Sequence, residues 1–205
     1  MMKERLEQCQ KPHGEYGLEI IGDMNSHHEV ISNYAMQSIE LTEDSKVIDI
    51  GCGGGVNIEK FLKRCPKGMV DGLDYSQLSV AESIKRNQEA VDSGRCHVYE
   101  ANVLDIPLDD GIYDLASAFE TIYFWKNLNK AFGEVYRILN DDGRFLIACD
   151  TDGNNPNDQK WVGILDDVKV YSKDELVKIL KDVGFKKVDV FNRKEDYLLV
   201  IVAGK

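Results

Sequence analysis

From Ser45 onward, short apolar runs of strand length alternate with segments whose apolar residues recur at helical spacing. Ser45–Ile50 reads as a first strand and Val56–Arg64 as a helix, with a glycine-dense turn between them. Pro66-Lys67-Gly68 breaks the chain before a second strand, Met69–Asp74. Ser76 is placed to cap a long polar helix that ends near Ser93-Gly94. Cys96–Glu100 is a third strand. Ile112–Phe119, almost wholly apolar, is a fourth of the kind covered on both faces. Leu128, Ala131, Phe132, Val135, Tyr136 and Leu139 then keep the i, i+3, i+4, i+7 rule of a helix with one buried face. Asp141-Asp142-Gly143 turns the chain into a fifth strand, Arg144–Cys149.

The C-terminal part has a different rhythm. Thr151–Asp158 is a polar loop, and Ser172 with Glu175 makes a capping box for one more helix. Phe185–Phe191 and Tyr197–Ala203 are strands joined by the short charged turn Asn192–Asp196, which pairs them as an antiparallel hairpin. Strands alternating with helices imply an α/β, doubly wound, mostly parallel sheet, here closed by that hairpin to seven strands. Residues 45–205 hold this core. Residues 1–44 form an N-terminal helical extension, with Val30, Ile31, Tyr34, Ala35 and Ile39 on one amphipathic face.

The formal charge of −11 changes the list of partners. A binder of polyanions presents a basic face, whereas here acids outnumber dispersed lysines, so nucleic acid is not expected as substrate. Hydrophobic residues at 43% and charged residues at 30% fit a globular domain, and no apolar run reaches the length of a membrane span. The first residues lack the apolar stretch of a secretory signal. The five cysteines show no C-x-x-C spacing, so neither a disulfide framework nor a zinc knuckle is expected. A cytoplasmic protein, monomeric or homodimeric, with a small-molecule substrate and no metal, is the expectation.

The richest stretch chemically is Val47-Ile-Asp-Ile-Gly-Cys-Gly-Gly-Gly55, followed by Asp74 at the end of the second strand. Glycines allow a sharp turn and a close ligand approach, and an acid at that place accepts hydrogen bonds from ribose hydroxyls. A dinucleotide fingerprint G-x-G-x-x-G would need glycine at position 56 or 58, where the chain has Val56 and Ile58. What stands there is G-x-G-x-G, Gly51, Gly53 and Gly55, led by Asp49. This pattern resembles the first motif of class I S-adenosylmethionine (SAM) dependent methyltransferases, and the resemblance runs from Lys46 to the C-terminus.

The resemblance implies a Rossmann-like methyltransferase fold and SAM as cofactor. It puts Gly51, Cys52 and Gly53 under the methionine part of SAM with Asp49 just before them, and gives Asp74 the ribose hydroxyls with Tyr75 beside the adenine. Asn102-Val103 before Leu104-Asp-Ile-Pro107 matches the adenine-reading segment, with Asn where many relatives carry Asp. Phe119 and Glu120 end the fourth strand, where the family places residues facing the transferred methyl. Met24-Asn-Ser-His-His28 with Lys11-Pro-His-Gly14 resembles the front end of a bacterial small-molecule subgroup bearing an M-N-x-x-H pattern. Glu120 is the first candidate for general base or substrate-orienting group and His28 the second. Asn25 or Ser26 as a plain helix cap competes with an active-site lid for the same segment. Cys52 reads as a small spacer, and His13 and His97 as residues without a chemical role. A catalytically silent SAM-binding module and, less so, an NAD-type oxidoreductase are the competing functional classes.

Overall fold

The computed structural model describes residues 2–156, 164 and 168–205. The predicted polar loop 151–158 therefore lies partly outside the described residues. Strands β1 (Lys46–Ile50), β2 (Met69–Asp74), β3 (Val98–Glu100), β4 (Tyr113–Phe119), β5 (Leu139–Cys149), β6 (Lys187–Arg193) and β7 (Leu198–Gly204) form one sheet in the order β3-β2-β1-β4-β5-β7-β6. The first five are parallel, and β7 runs antiparallel to both β5 and β6. The order reverses between β1 and β4, so the carboxyl ends of these two strands border the crevice where open α/β sheets bind ligands.

Alternation along the strands sends side chains to two cores. Ile48 and Ile50 of β1 and Ala116 and Ala118 of β4 face helices α7 (Leu128–Ile138) and α8 (Lys173–Val183). Val47, Leu115 and Phe119 face the other way, toward α4 (Val56–Arg64) and α3 (Glu29–Met36). The helix termini follow the chemistry expected of them. Ser76 Oγ accepts from the Ser79 N–H at the start of α5 (Gln77–Arg86), and Asn127 Oδ1 accepts from Lys130 N–H at the start of α7. Ser172 and Glu175 close the reciprocal capping box of α8.

Several boundaries differ from expectation, each for a tertiary reason. The single long helix after Ser76 is broken, because buried Asn87 (φ −105°, ψ 25°) turns its amide to the carbonyls of Gly55 and Ser83. The helix resumes as α6 (Gln88–Asp92). The Asp141–Gly143 turn is absorbed into β5, where the register jumps from Leu139 opposite Tyr113 to Arg144 opposite Leu115. Phe185 precedes β6 instead of opening it, since its ring is buried against Tyr136, with centroids 5.1 Å apart, and near Phe145.

The largest correction is at the N-terminus. Met24–His27 forms the last turn of α2 (Gly14–His27), which follows α1 (Met2–Gln10), and does not cap the next helix. His28 is the residue before α3 and makes no side-chain cap bond, and Ser26 Oγ donates to Gly22 O within α2, so the cap reading is overturned. Helix α3 is part of the second core, with Ile31, Ala35, Met36 and Ile39 buried beside Leu146 and Val200. Arg64 fastens it by donating to Met36 O at 2.6 Å and Ile39 O at 2.9 Å. Replacing Arg64 with Met keeps the apolar stem and leaves both carbonyls without their charged donor. Urea unfolding should show a stability loss of about 1–3 kcal/mol, and an unchanged midpoint would show that α3 is held by its apolar face alone.

Candidate functional site

The turn after β1 is built by hydrogen bonds that leave its ligand side clear. Gly51 N–H and Cys52 N–H both donate to Leu73 O, at 2.7 and 3.2 Å, which carries the β1–β2 pairing into the turn. Gly51 and Gly53 have φ of +75° and +50°, the left-handed region that costs glycine nothing. On the outer side, Arg86 Nε donates to Gly54 O at 2.9 Å and Asn87 Nδ2 to Gly55 O at 3.1 Å. At Gly53 a side chain would meet no atom within 4 Å, so the space beside its backbone is open.

Asp74, at the end of β2, reaches across to this turn. Its Oδ2 accepts from Gly53 N–H at 3.0 Å and its Oδ1 from Ser76 N–H at 2.8 Å. Burial raises its pKa, while the N–H bonds from Ser76, Gly53 and Tyr75 pull the other way. With three N–H groups on about four acceptor positions, the carboxylate keeps room for a ligand hydroxyl. Ser79 Oγ, nearby on α5, is buried with no hydrogen-bond partner although Ser79 lines the same cleft. An open backbone cradle, a carboxylate with a free acceptor position and an orphaned hydroxyl are the features a bound nucleoside would complete.

The cleft has a volume of about 180 Å³ and opens to solvent. Glu120, His28, Gly51, Cys52, Gly53, Asp74, Tyr75, Asn102, Val103 and Phe119 all line it. Asp49 does not. It sits beneath the turn, 1% exposed, accepting from Ser117 Oγ at 2.7 Å, and burial lifts its carboxyl to about 7. Asn102 lines the cleft with its Oδ1 already accepting from Leu104 N–H at 2.9 Å, which closes the local turn. Cys52 Sγ lies 3.9 Å from Ser83 Oγ, and burial pushes its thiol well up, in keeping with a spacer. His13 bonds to Gln8 and His97 to buried Asp71, both outside the cleft.

At the end of β4, Glu120 takes a φ of +56°, an uncommon and strained conformation for a non-glycine residue. The bend lets its carboxylate accept the Asp150 N–H and, at 3.4 Å, the Tyr123 hydroxyl. Burial, and then the nearby Asp150 charge, hold Glu120 well above the usual carboxylate range. His28 shares that neighbour: burial pushes its imidazole down, opposed by Asp150. Phe124 and Trp125 line the cleft beside them, whereas Tyr123 stands behind Glu120.

The N-terminal helices cover more of the site than the acceptor side expected of them. Tyr75 Oη donates to Gln10 O at 2.6 Å and Ser76 Oγ to Pro12 O at 2.7 Å, and Cys9, Gln10 and Pro12 line the cleft. A side chain at Gly54 would strike Ile21 and Asn25 of α2. The sequence did not point to Cys9 and Gln10, nor to Ser32, Asn57, Lys60 and Ser79, which also line the cleft. Asn57 and Lys60 stand at i, i+3 on α4 outside its buried stripe of Ile58, Phe61 and Leu62, a spacing visible in the sequence but not distinctive in it.

A methyltransferase-domain family model matches residues 48–147, the stretch from β1 through most of β5. The protein named "Putative methyltransferase YrhH" of Bacillus subtilis (strain 168) is 26% identical over 174 residues, covering 85% of this chain and 87% of its own length. The malonyl-[acyl-carrier protein] O-methyltransferase of Geobacter sulfurreducens is 26% identical over 169 residues, 76% of this chain, which spans 61% of that enzyme. A SAM-dependent methyltransferase of Aquifex aeolicus superposes with a TM-score of 0.74 at 20% identity, covering 90% of this chain and 96% of that one. The domain match, these relatives and the fold support a class I SAM-dependent methyltransferase. S-adenosyl-L-methionine is its cofactor, and the residues around Gly53 and Asp74 fit it. Among the described residues no helix is long and apolar enough to cross a membrane.

Glu120 makes the site's strain measurable. The unfolded chain releases this proton near the ordinary value of 4.5, whereas the folded protein keeps it to higher pH. Folding therefore retains a proton, and stability falls as pH rises above that value until the folded group ionises. Glu120→Gln should match the wild type below about pH 4.5 and become progressively the more stable protein above it. Urea midpoints at acidic, neutral and alkaline pH check this, and a gap independent of pH would contradict it.

Proposed function

We propose that the protein methylates a small-molecule acceptor that enters beside Phe119, Glu120 and Phe124, under the N-terminal helices. The observation that carries this reading is the meeting of Glu120 and His28 in the same cleft as Gly53 and Asp74. Bound SAM supplies a methyl group on a sulfonium, ready for in-line displacement by an O, N, S or C nucleophile. Gly51, Cys52 and Gly53 underlie its methionine part, Asp74 holds the ribose, and Tyr75, Asn102 and Val103 border the adenine. Residues 1–44 act as a lid that excludes water and completes the acceptor pocket. The M-N-x-x-H segment then belongs to the acceptor site. The Geobacter relative is named for O-methyl transfer to a malonyl group on an acyl-carrier protein, which supports a small acceptor group over a nucleic acid. A cytoplasmic monomer or homodimer completes the reading.

Within the pocket, the two titratable groups take separate parts. His28, its pKa lowered by burial, is neutral near pH 7 and presents a ring nitrogen able to accept a proton. Glu120, held above the usual carboxylate range by burial and the Asp150 charge, gives up its proton more readily when a cationic ligand is brought beside it, which makes it the stronger base candidate.

Two variants test the assignment. Asp74→Ala should weaken SAM binding at least about tenfold by calorimetry, since each charge-assisted bond lost is worth about 1.5–3 kcal/mol; unchanged affinity in a folded variant removes Asp74 from the site. With the acceptor identified by mass spectrometry of extract incubated with SAM, Glu120→Gln should slow turnover roughly 10²–10⁴-fold with SAM affinity little changed. Near-normal turnover assigns Glu120 a structural part only.

A further inference from the structure

Where α3 and α4 wall the cleft, three polar side chains form a hydrogen-bond chain with a fixed direction. Lys60 Nζ donates to Ser32 Oγ at 2.9 Å and to Asn33 Oδ1 at 2.9 Å. An ammonium can only donate, so Ser32 Oγ is the acceptor in that bond and must send its own proton elsewhere. It sends it to Asn57 Oδ1, at 2.6 Å. Ser32 is only 2% exposed, so this geometry is enforced by packing. With its oxygen committed to Ser32, the Asn57 amide offers its N–H groups in other directions. The chain thus begins at an ammonium and ends at amide donors. Lys60, Ser32 and Asn57 all line the cleft.

The charge balance points the same way. Lys60 has three N–H bonds, of which two are taken by neutral oxygens. The adjacent Glu59 carboxylate is engaged by Lys63 and Arg86, and among the described residues no carboxylate forms an ion pair with Lys60. Burial pushes its pKa down, while Glu29 and Glu59 at longer range pull it up. In a chain of net charge −11, a partly desolvated ammonium without a carboxylate partner, backed by directed donors, is a site short of an anion.

We propose that Lys60, Ser32 and Asn57 form an oxyanion-binding subsite that takes a carboxylate or phosphate of the bound ligand. This rests on the reading of the cleft as the place where SAM and acceptor meet, and the oxyanion belongs either to the methionyl end of the cofactor or to the acceptor. Ser32 positions the other two, and the contacts to the anion come from Lys60 and Asn57.

Calorimetry on the full chain tests it with Lys60→Met, Asn57→Ala and Lys60→Arg, each checked for folding by circular dichroism. The probes are S-adenosylhomocysteine, 5′-methylthioadenosine (the same nucleoside without the amino acid), succinate and inorganic phosphate. Succinate and phosphate are titrated into both free and S-adenosylhomocysteine-loaded protein. If the cofactor supplies the oxyanion, Lys60→Met weakens S-adenosylhomocysteine at least about tenfold and leaves 5′-methylthioadenosine unchanged. If the acceptor supplies it, Lys60→Met leaves S-adenosylhomocysteine unchanged but abolishes binding of succinate or phosphate to the loaded protein. In either case Asn57→Ala shifts the same probe in the same direction and Lys60→Arg largely restores it. The subsite is overturned if Lys60→Met changes neither. Failure of the wild type to bind S-adenosylhomocysteine would count against the methyl-transfer reading instead, with the titrations of the free protein still deciding the subsite.

Discussion

The hydrogen bond from Gly53 N–H to Asp74 Oδ2 joins the first strand's turn to the second strand's end, and the rest of the site is arranged around it. It can form only because β1 and β2 pair in the register that sets Asp49 opposite Gly72 and Ile50 opposite Leu73. That register brings Gly51 and Cys52 to the Leu73 carbonyl and leaves Gly53 one step beyond, facing the carboxylate. A shift of one residue would turn Asp74 to the opposite face and bury it in the core. The same carboxylate meets the Ser76 N–H, so the start of α5 is fixed by the group that borders the ligand space. Sheet, turn and helix start are therefore set by one anion, and the cost of burying it is met by the N–H groups it orders.

The rear of the turn is held as firmly as its front. Arg86 and Asn87 occupy the carbonyls of Gly54 and Gly55, and this demand is what breaks the helix at Asn87. A helix interruption that looks like a local weakness is the result of a tertiary contact. Glu120 follows a similar logic at β4: its strained backbone and half-buried carboxyl are poor for stability but aim a titratable group into the cleft.

What could be read from the sequence was what is local in it. The alternation of β1 through β5, the terminal hairpin and the capping box at Ser172 are signals carried by neighbouring residues, and the glycine turn with Asp74 is a short spaced motif. The structure supports each of these with shifts of a residue or two at the ends, except that β5 begins at Leu139, five residues ahead of the expected Arg144. What could not be read was set by distant partners. Nothing near Asn87 announces that it will reach back to Gly55, and nothing near Phe185 that Tyr136 will take its ring. The polar chain from Lys60 to Asn57 passes through Ser32, on another helix 28 residues from Lys60 and 25 from Asn57, so no spacing rule could join them. Asp49 stands beside the motif in sequence, but its carboxylate is buried beneath the turn, where Ser117 donates to it.

The contact of α2 with Gly54 gives the glycine run an evolutionary reading. A side chain there would meet Ile21 Cγ2 at 2.6 Å and Asn25 Nδ2 at 2.7 Å, so this glycine answers to the chain's own helix, whereas Gly53 faces open space. The two glycines are therefore under different selection although they are adjacent. A relative that carries alanine or serine at the place of Gly54 is expected to carry a shorter residue opposite it, at the place of Ile21 or Asn25, or to lack the α2 contact altogether. Change at one glycine of the most recognisable motif is thus expected to be coupled to change in the N-terminal helix that packs on it.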